Sequence, residues 1–225
     1  MFNLNKCLTL YPNLNGIAMT DFNDKQIEIL QVAEKLFAED GFDGASIRNI
    51  AKEANVNIAM ISYYFGSKEK LLEALIIYRT SGMKMQLENI SREDLSPTQK
   101  IERLVDLYIS RINKNKCMYQ IMHFELSTKK RILNMDSFME MKRENSEIFN
   151  KIIEDGQDKG FFRKDINITL IPITILGTLT HFHTNKLYFQ KILDLDTEEK
   201  FDEYIASQLT HHIKQTIKAL LAHEN

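Results

Sequence analysis

Residues 46–70 constrain this chain's fold more than any other stretch: Ser-Ile-Arg-Asn-Ile-Ala-Lys-Glu-Ala-Asn-Val-Asn-Ile-Ala-Met-Ile-Ser-Tyr-Tyr-Phe-Gly-Ser-Lys-Glu-Lys. Ser46 suits a helix N-cap, where its hydroxyl accepts a bond from a free backbone N–H. Ile47, Ile50, Ala51 and Ala54 then recur at helical spacing and give one apolar face. Asn55 tolerates the left-handed conformation that ends a helix sharply. Asn57 suits the next cap, with Ile58, Ile61 and Phe65 expected inward and Asn57, Ala59, Ser62 and Tyr63 expected outward. Gly66 ends that helix and Ser67 caps another starting at Lys68. Two helices this short bury too little to fold alone. The pattern therefore predicts a helix-turn-helix held by neighbouring elements, of the kind that enters the major groove of B-DNA.

The wider stretch 24–72 resembles the DNA-binding domain of the tetracycline-repressor (TetR) family of regulators. The resemblance runs from Phe37 and Gly41-Phe42 through Ser46-Ile47-Arg48-Asn49-Ile50-Ala51, Ala54-Asn55-Val56-Asn57, Tyr64-Phe65, Ser67-Lys68-Glu69 and Leu71-Leu72. It departs at Asn55, where the family commonly has Gly, and at Ser62, where it commonly has a DNA-touching Tyr. The resemblance implies Arg48 and Lys68 at phosphates and Asn57 and Tyr63 near the groove. Ser46, Ala59 and Ser62 complete the candidate DNA-binding set, and Tyr64 either joins it or packs inward. It further implies a homodimer on double-stranded DNA, repressing at a palindromic operator and released by a small-molecule effector. The alternative is a helical protein-interaction module without operator binding.

Charge is distributed unevenly. The chain carries 29 basic and 31 acidic residues, so no global field draws it to nucleic acid. Residues 24–45 sum to −4 and residues 46–70 to +2, which places the positive charge on the segment expected to meet DNA. Half-sites paired by two-fold symmetry would then carry more of the specificity than bulk attraction.

The remainder reads as all-α. Asn23 with Gln26 forms a capping box for a first helix ending at Gly41. Further helices are expected over 68–89, from Ser96-Pro97, over 116–127, over 136–159 and over 168–192. A last helix capped by Asp196 would bury Phe201, Ile205, Leu209, Ile213, Ile217 and Leu220. The domain expectation is an irregular extension over 1–20, dispensable up to residue 18, a helix-turn-helix domain over 21–67 and a helical effector and dimerisation domain over 68–225. Residues 170–182 are apolar on most faces and so need cover on most faces. Leu176, Leu179, His183, Tyr204, Leu209, Ile213 and Ile217 are the expected dimer contacts, a monomeric core being the plain alternative. Tyr119, Met122, His123, Phe138, Phe149, Thr178, His181 and Phe182 are candidates for an effector pocket, since Met and aromatics line adaptable cavities. Each reads more simply as ordinary core or surface.

No catalytic, cofactor or metal motif is expected. His181 and His183 lie two apart and His211 and His212 are adjacent, neither matching the i, i+4 chelate of helical zinc sites. Cys7 and Cys117 lack metal spacing. With no long apolar run for a membrane span, a cytoplasmic setting is expected.

Overall fold

The structure, a computed structural model, describes residues 22–128 and 135–223. The expectation about residues 1–18 lies outside them. Among the described residues there are helices and no strands. Those up to Met83, with those from Ile112 to Lys142, make one compact unit. Those of 84–111, with those from Arg143 on, make a second.

In the first unit, α1 (Asp24–Gly44) begins at the expected capping box: the Gln26 N–H donates to Asn23 Oδ1 at 2.9 Å, and the Asn23 N–H to Gln26 Oε1 at 3.0 Å. Gly41 leaves helical geometry at φ 71°, a conformation glycine adopts without Cβ strain, and Phe42 then packs against Phe37 at 5.2 Å. Three short helices follow: α2 (Ile47–Glu53), α3 (Ile58–Phe65) and α4 (Lys68–Thr80). Their apolar faces share one core through Leu30, Ala33, Phe37, Ile50, Ala51, Ile61, Phe65, Leu72 and Leu75.

That core extends beyond residue 67. Met118 and Ile121 of α7 (Lys116–Thr128) and Phe138 of α8 (Asp136–Asp158) belong to it, and α7 packs on both α1 and α4. A buried ion pair ties α4 back to α1: Arg79 Nε donates to Glu34 Oε2 at 2.8 Å. Burial pushes the Glu34 carboxyl above its ordinary value, and the adjacent guanidinium only partly offsets it. The other carboxyl oxygen, Glu34 Oε1, is buried without a hydrogen-bond partner.

The expected single helix over 68–89 is two. The Thr80 hydroxyl donates to the Ile76 carbonyl at 2.6 Å and the Ser81 hydroxyl to that of Tyr78 at 2.8 Å. Hydroxyls that take terminal carbonyls compete with helix continuation. Gly82 turns at φ 75°, and α5 (Met83–Arg92) starts afresh.

In the second unit, α6 (Pro97–Lys114) opens on a capping box made by Ser96 and Gln99. The expected helix over 168–192 also divides, into α9 (Leu170–Thr184) and α10 (Lys186–Ile192). The cause sits at Asn185, whose side-chain amide donates to the His181 carbonyl at 3.0 Å. Thr197 caps α11 (Glu198–Tyr204) through the Lys200 N–H, while the expected cap Asp196 pairs with the Lys200 ammonium at 2.6 Å.

The last run carries its apolar residues every fourth position, whereas an α-helix turns every 3.6. A π turn at Ile205–Leu209 inserts extra length and absorbs part of that drift before α12 (Thr210–Leu221). The Thr210 hydroxyl donates to the Ile205 carbonyl at 2.6 Å inside this turn. Continuing by fours, Leu221 is buried, and Leu220, expected inward, faces outward.

Candidate nucleic-acid interface

Every helix start around α3 is fixed by a side chain. The Asn49 N–H donates to Ser46 Oγ at 3.1 Å, the Met60 N–H to Asn57 Oδ1 at 2.7 Å and the Lys70 N–H to Ser67 Oγ at 3.2 Å. Asn55 takes φ 51°, the left-handed turn residue between α2 and α3, and Gly66 takes φ 79° between α3 and α4. The Val56 N–H closes the turn on the Ala51 carbonyl at 2.9 Å. Ala54 and Ala51 are buried where the two helices cross. Such a turn sets the direction of α3 relative to α2 by backbone geometry as well as by packing.

The outward face of α3 carries Asn57, Ala59, Ser62 and Tyr63, all exposed, with Tyr63 82% accessible. Ile61 and Phe65 are buried beneath them. Ile58, expected inward, is 45% exposed. The reason is its position: it is the first residue of α3, one step past the cap, where the helix has not yet reached the core formed by Ile61 and Phe65. Tyr64 is half-buried against the shared core, with its ring edge-on to Tyr63 at 5.4 Å.

The basic groups fall into two kinds. Arg48, Lys52 and Lys70 are exposed and form no ion pair among the described residues. Lys68 is half-buried, its ammonium 4.4 Å from the centre of the Phe42 ring, where the negative π face attracts it. Glu53, the one acid of α2, pairs with Lys35 of α1 at 3.1 Å, and its carboxylate holds the Lys35 ammonium above its ordinary value. That pairing screens the acid nearest to Arg48 and Lys52 in sequence and leaves their positive charge outward. Ser46 is exposed as well, with its oxygen engaged as the α2 cap.

The expected pocket residues do not share one setting. In the second unit Thr178, His181 and Phe182 line an open cleft of about 540 Å³ with Phe189, Tyr204 and His212. Phe182 stacks on Phe189, Phe201 and Tyr204 at 4.4, 5.1 and 5.6 Å, so the cleft wall is a set of rings. Phe149 is instead packed against Tyr108 at 5.8 Å. Phe138 is core of the first unit, Met122 packs against that core, Tyr119 is half-buried and His123 is exposed. The helical spacing of Phe189 and Phe201 reads as plain core, which hides their part in the cleft and its wall.

Of the expected dimer contacts, Leu179, Leu209, Ile213 and Ile217 are buried within their own subunit. Leu179 lies on α9, and Leu209, Ile213 and Ile217 lie on the π turn and α12, the last of which packs on α9. Leu176, His183 and Tyr204 are half-buried. The large apolar side chains this unit exposes are Phe161, Leu170, Ile173, Leu187, Tyr188, Ile192 and Leu220. Among the described residues no group of three metal-ligating side chains is close enough to hold an ion, and no helix is long and apolar enough to cross a membrane.

An all-helical chain that sets a short capped helix outward from a helix-turn-helix has the form of a DNA-binding transcriptional regulator. Residues 29–75 match the family described as bacterial regulatory proteins, tetR family, and residues 97–217 match the tetracyclin repressor-like C-terminal domain. The chain belongs to the TetR family of regulators. It is 32% identical over 195 residues to the transcriptional repressor NicS of Pseudomonas putida, covering 82% of this chain and 88% of NicS. It is likewise 32% identical to the probable regulator YttP of Bacillus subtilis, over 58% of this chain and 63% of YttP. In fold it is similar to the regulator FadR of Bacillus subtilis, solved in complex with stearoyl-CoA. That match has a TM-score of 0.65 at 18% identity, over 87% of this chain and 98% of the other.

Proposed function

We propose that this regulator is a repressor that binds a palindromic operator as a homodimer and is released by a small-molecule effector. The observation that carries this reading is the outward face of α3, held at both ends by caps and free of packing duties at Asn57, Ala59, Ser62 and Tyr63. Two such helices about one turn of DNA apart read two half-sites in adjacent major grooves. Arg48 and Lys68 act at phosphates, Ser46 and Tyr64 at the backbone beside them, and the α3 residues at base edges.

Pairing of two chains is supported by the apolar side chains left outward on α9, α10 and α12. Burying Ile173, Leu187, Tyr188, Ile192 and Leu220 would remove five large apolar side chains from water. Release by an effector is supported by the helical second domain and by the similarity in fold to a regulator that holds stearoyl-CoA. The ringed cleft along Thr178, His181 and Phe182 is the candidate effector contact.

The test is a gel shift of the purified chain on duplex DNA from upstream of its own gene, titrated with salt, beside light scattering of the protein alone. Expected are a twofold mass, a specific shift and a steep fall of affinity with salt. Arg48→Ala should weaken binding to every sequence and flatten that salt dependence. A strictly single-chain protein, or one that binds no duplex, would refute the proposal.

A further inference from the structure

The chemistry displayed by α3 is narrow, and it restricts which bases it can read. The helix runs Ile-Ala-Met-Ile-Ser-Tyr-Tyr-Phe and contains no Arg, Lys, Asn, Gln, Asp or Glu. Guanine is most commonly read by a bidentate Arg or Lys, adenine by a bidentate Asn or Gln and cytosine by an acid. The nearest amide is the cap residue Asn57, whose Oδ1 already accepts the Met60 N–H at 2.7 Å. One lone pair of that oxygen is therefore committed to the cap, which fixes the amide plane and narrows the geometries in which it can meet a base edge.

What remains outward at the leading end of α3 is apolar. Ile58 is 45% exposed at the first helical position, and Ala59 beside it is exposed. The N-terminal residues of a recognition helix are the ones that approach base edges. In the major groove the one apolar feature a base pair presents is the thymine C5-methyl group, and small apolar side chains are its usual partners. An exposed isoleucine there also has no role in its own subunit's core, where Ile61 and Phe65 suffice.

We infer that Ile58, with Ala59, reads thymine methyl groups, so that each half-site presents thymine where α3 enters the groove. Arg48, Lys52 and Lys70 lie outside α3 and serve phosphates. The inference rests on the operator-binding reading above and names the bases that reading requires. It makes Ile58 a specificity-determining residue that hydrophobic patterning assigns to the core.

The experiment begins with selection of duplexes bound by the full chain from a random double-stranded library. In the selected sequence each thymine is then replaced, one at a time, by deoxyuridine, which keeps the hydrogen-bonding groups and lacks the methyl. Expected is one symmetric pair of positions where the replacement weakens binding by about fourfold per half-site, the value of one buried methyl-sized group. In Ile58→Ala the wild-type preference for thymine over uracil at that pair should shrink, Ala59 retaining a part of it, whereas an unchanged ratio would assign the methyl contact elsewhere. Because Ile58 is exposed, the variant should fold as the wild type does, which its thermal unfolding will verify. Indifference to uracil at every position, or a thymine preference undiminished in Ile58→Ala, would overturn the inference and leave operator binding intact. Selection of no sequence at all would overturn the operator-binding reading and the inference with it.

Discussion

The reading end of the molecule and the α9–α10 pair are built by different means. Around α2, α3 and α4 each helix start is fixed by a side chain, Ser46, Asn57 and Ser67, and each reversal by a residue at positive φ, Asn55 and Gly66. At α9 and α10 no side chain caps the helix start. Those helices are held by rings and branched chains: Phe182 stacked among Phe189, Phe201 and Tyr204, with Ile171, Ile175 and Leu179 beneath. Hydrogen-bonded caps set direction closely, since a bond forms only over a narrow range of angles. Apolar packing is non-directional and depends on area and fit. A surface that must match the groove of DNA benefits from the first kind of control, and a helical body that must bury much area from the second.

The sharpest ways to break this contrast lie at its two anchors. Arg79→Met should cost about 3–5 kcal/mol in denaturant unfolding, because it strands the Glu34 carboxylate in the interior. Replacing both partners, Glu34→Leu with Arg79→Met, should restore most of it. Burial raises the folded pKa of Glu34, so the folded state binds its proton more tightly than the unfolded chain does. That contribution is present below the ordinary carboxylate range and is lost as pH rises through the folded value, so the wild type should gain relative stability on mild acidification. Phe182→Ala should cost a similar amount, about 3–5 kcal/mol, by opening a void among three rings. If the regions differ as described, only the Phe182 loss should scale with cavity volume in a series of smaller apolar replacements.

Smaller effects sharpen the same contrast. Ser67→Ala should cost about 1 kcal/mol through the lost cap on α4, measured by thermal unfolding. A loss near zero would mean that packing alone orients this end. The smallest effect concerns Asp165, which is exposed and held down to about 2 by hydrogen bonds from Arg163. The stabilisation from this depressed acid is present above its ordinary value of 3.8 and fades as pH falls toward about 2. An NMR titration of Arg163→Gln should show the Asp165 carboxyl returning toward that ordinary value.

Much of the reading end was legible from residues alone. Asn23, Ser46, Asn57 and Ser67 act as caps, and Asn55 and Gly66 as left-handed turns, because each such role depends on a side chain and its own three or four neighbours. Helical spacing puts Ile58 inward because it marks a face without saying where along the helix the core begins. The breaks at Gly82 and Asn185 leave little trace in the sequence, because a long apolar period outweighs a single hydroxyl or amide that takes a terminal carbonyl. Leu179, Leu209, Ile213 and Ile217 carry the same apolar signal whether they meet their own subunit or another. Periodicity cannot separate those two partners, and only coordinates show how far each of the four is covered within one subunit.

What the sequence determined by itself is the all-helical class, the helix-turn-helix and its family, since these follow from short-range rules and a fixed series of spacings. What only the tertiary structure decided is which apolar residues are spare. The α7 helix and the start of α8 join the core of the reading unit, and a π turn keeps a four-residue stripe facing inward through Leu221. The reason is that burial is a property of pairs of surfaces. A side chain carries its own cap or turn preference, but its exposure is set by whichever distant element comes to rest on it.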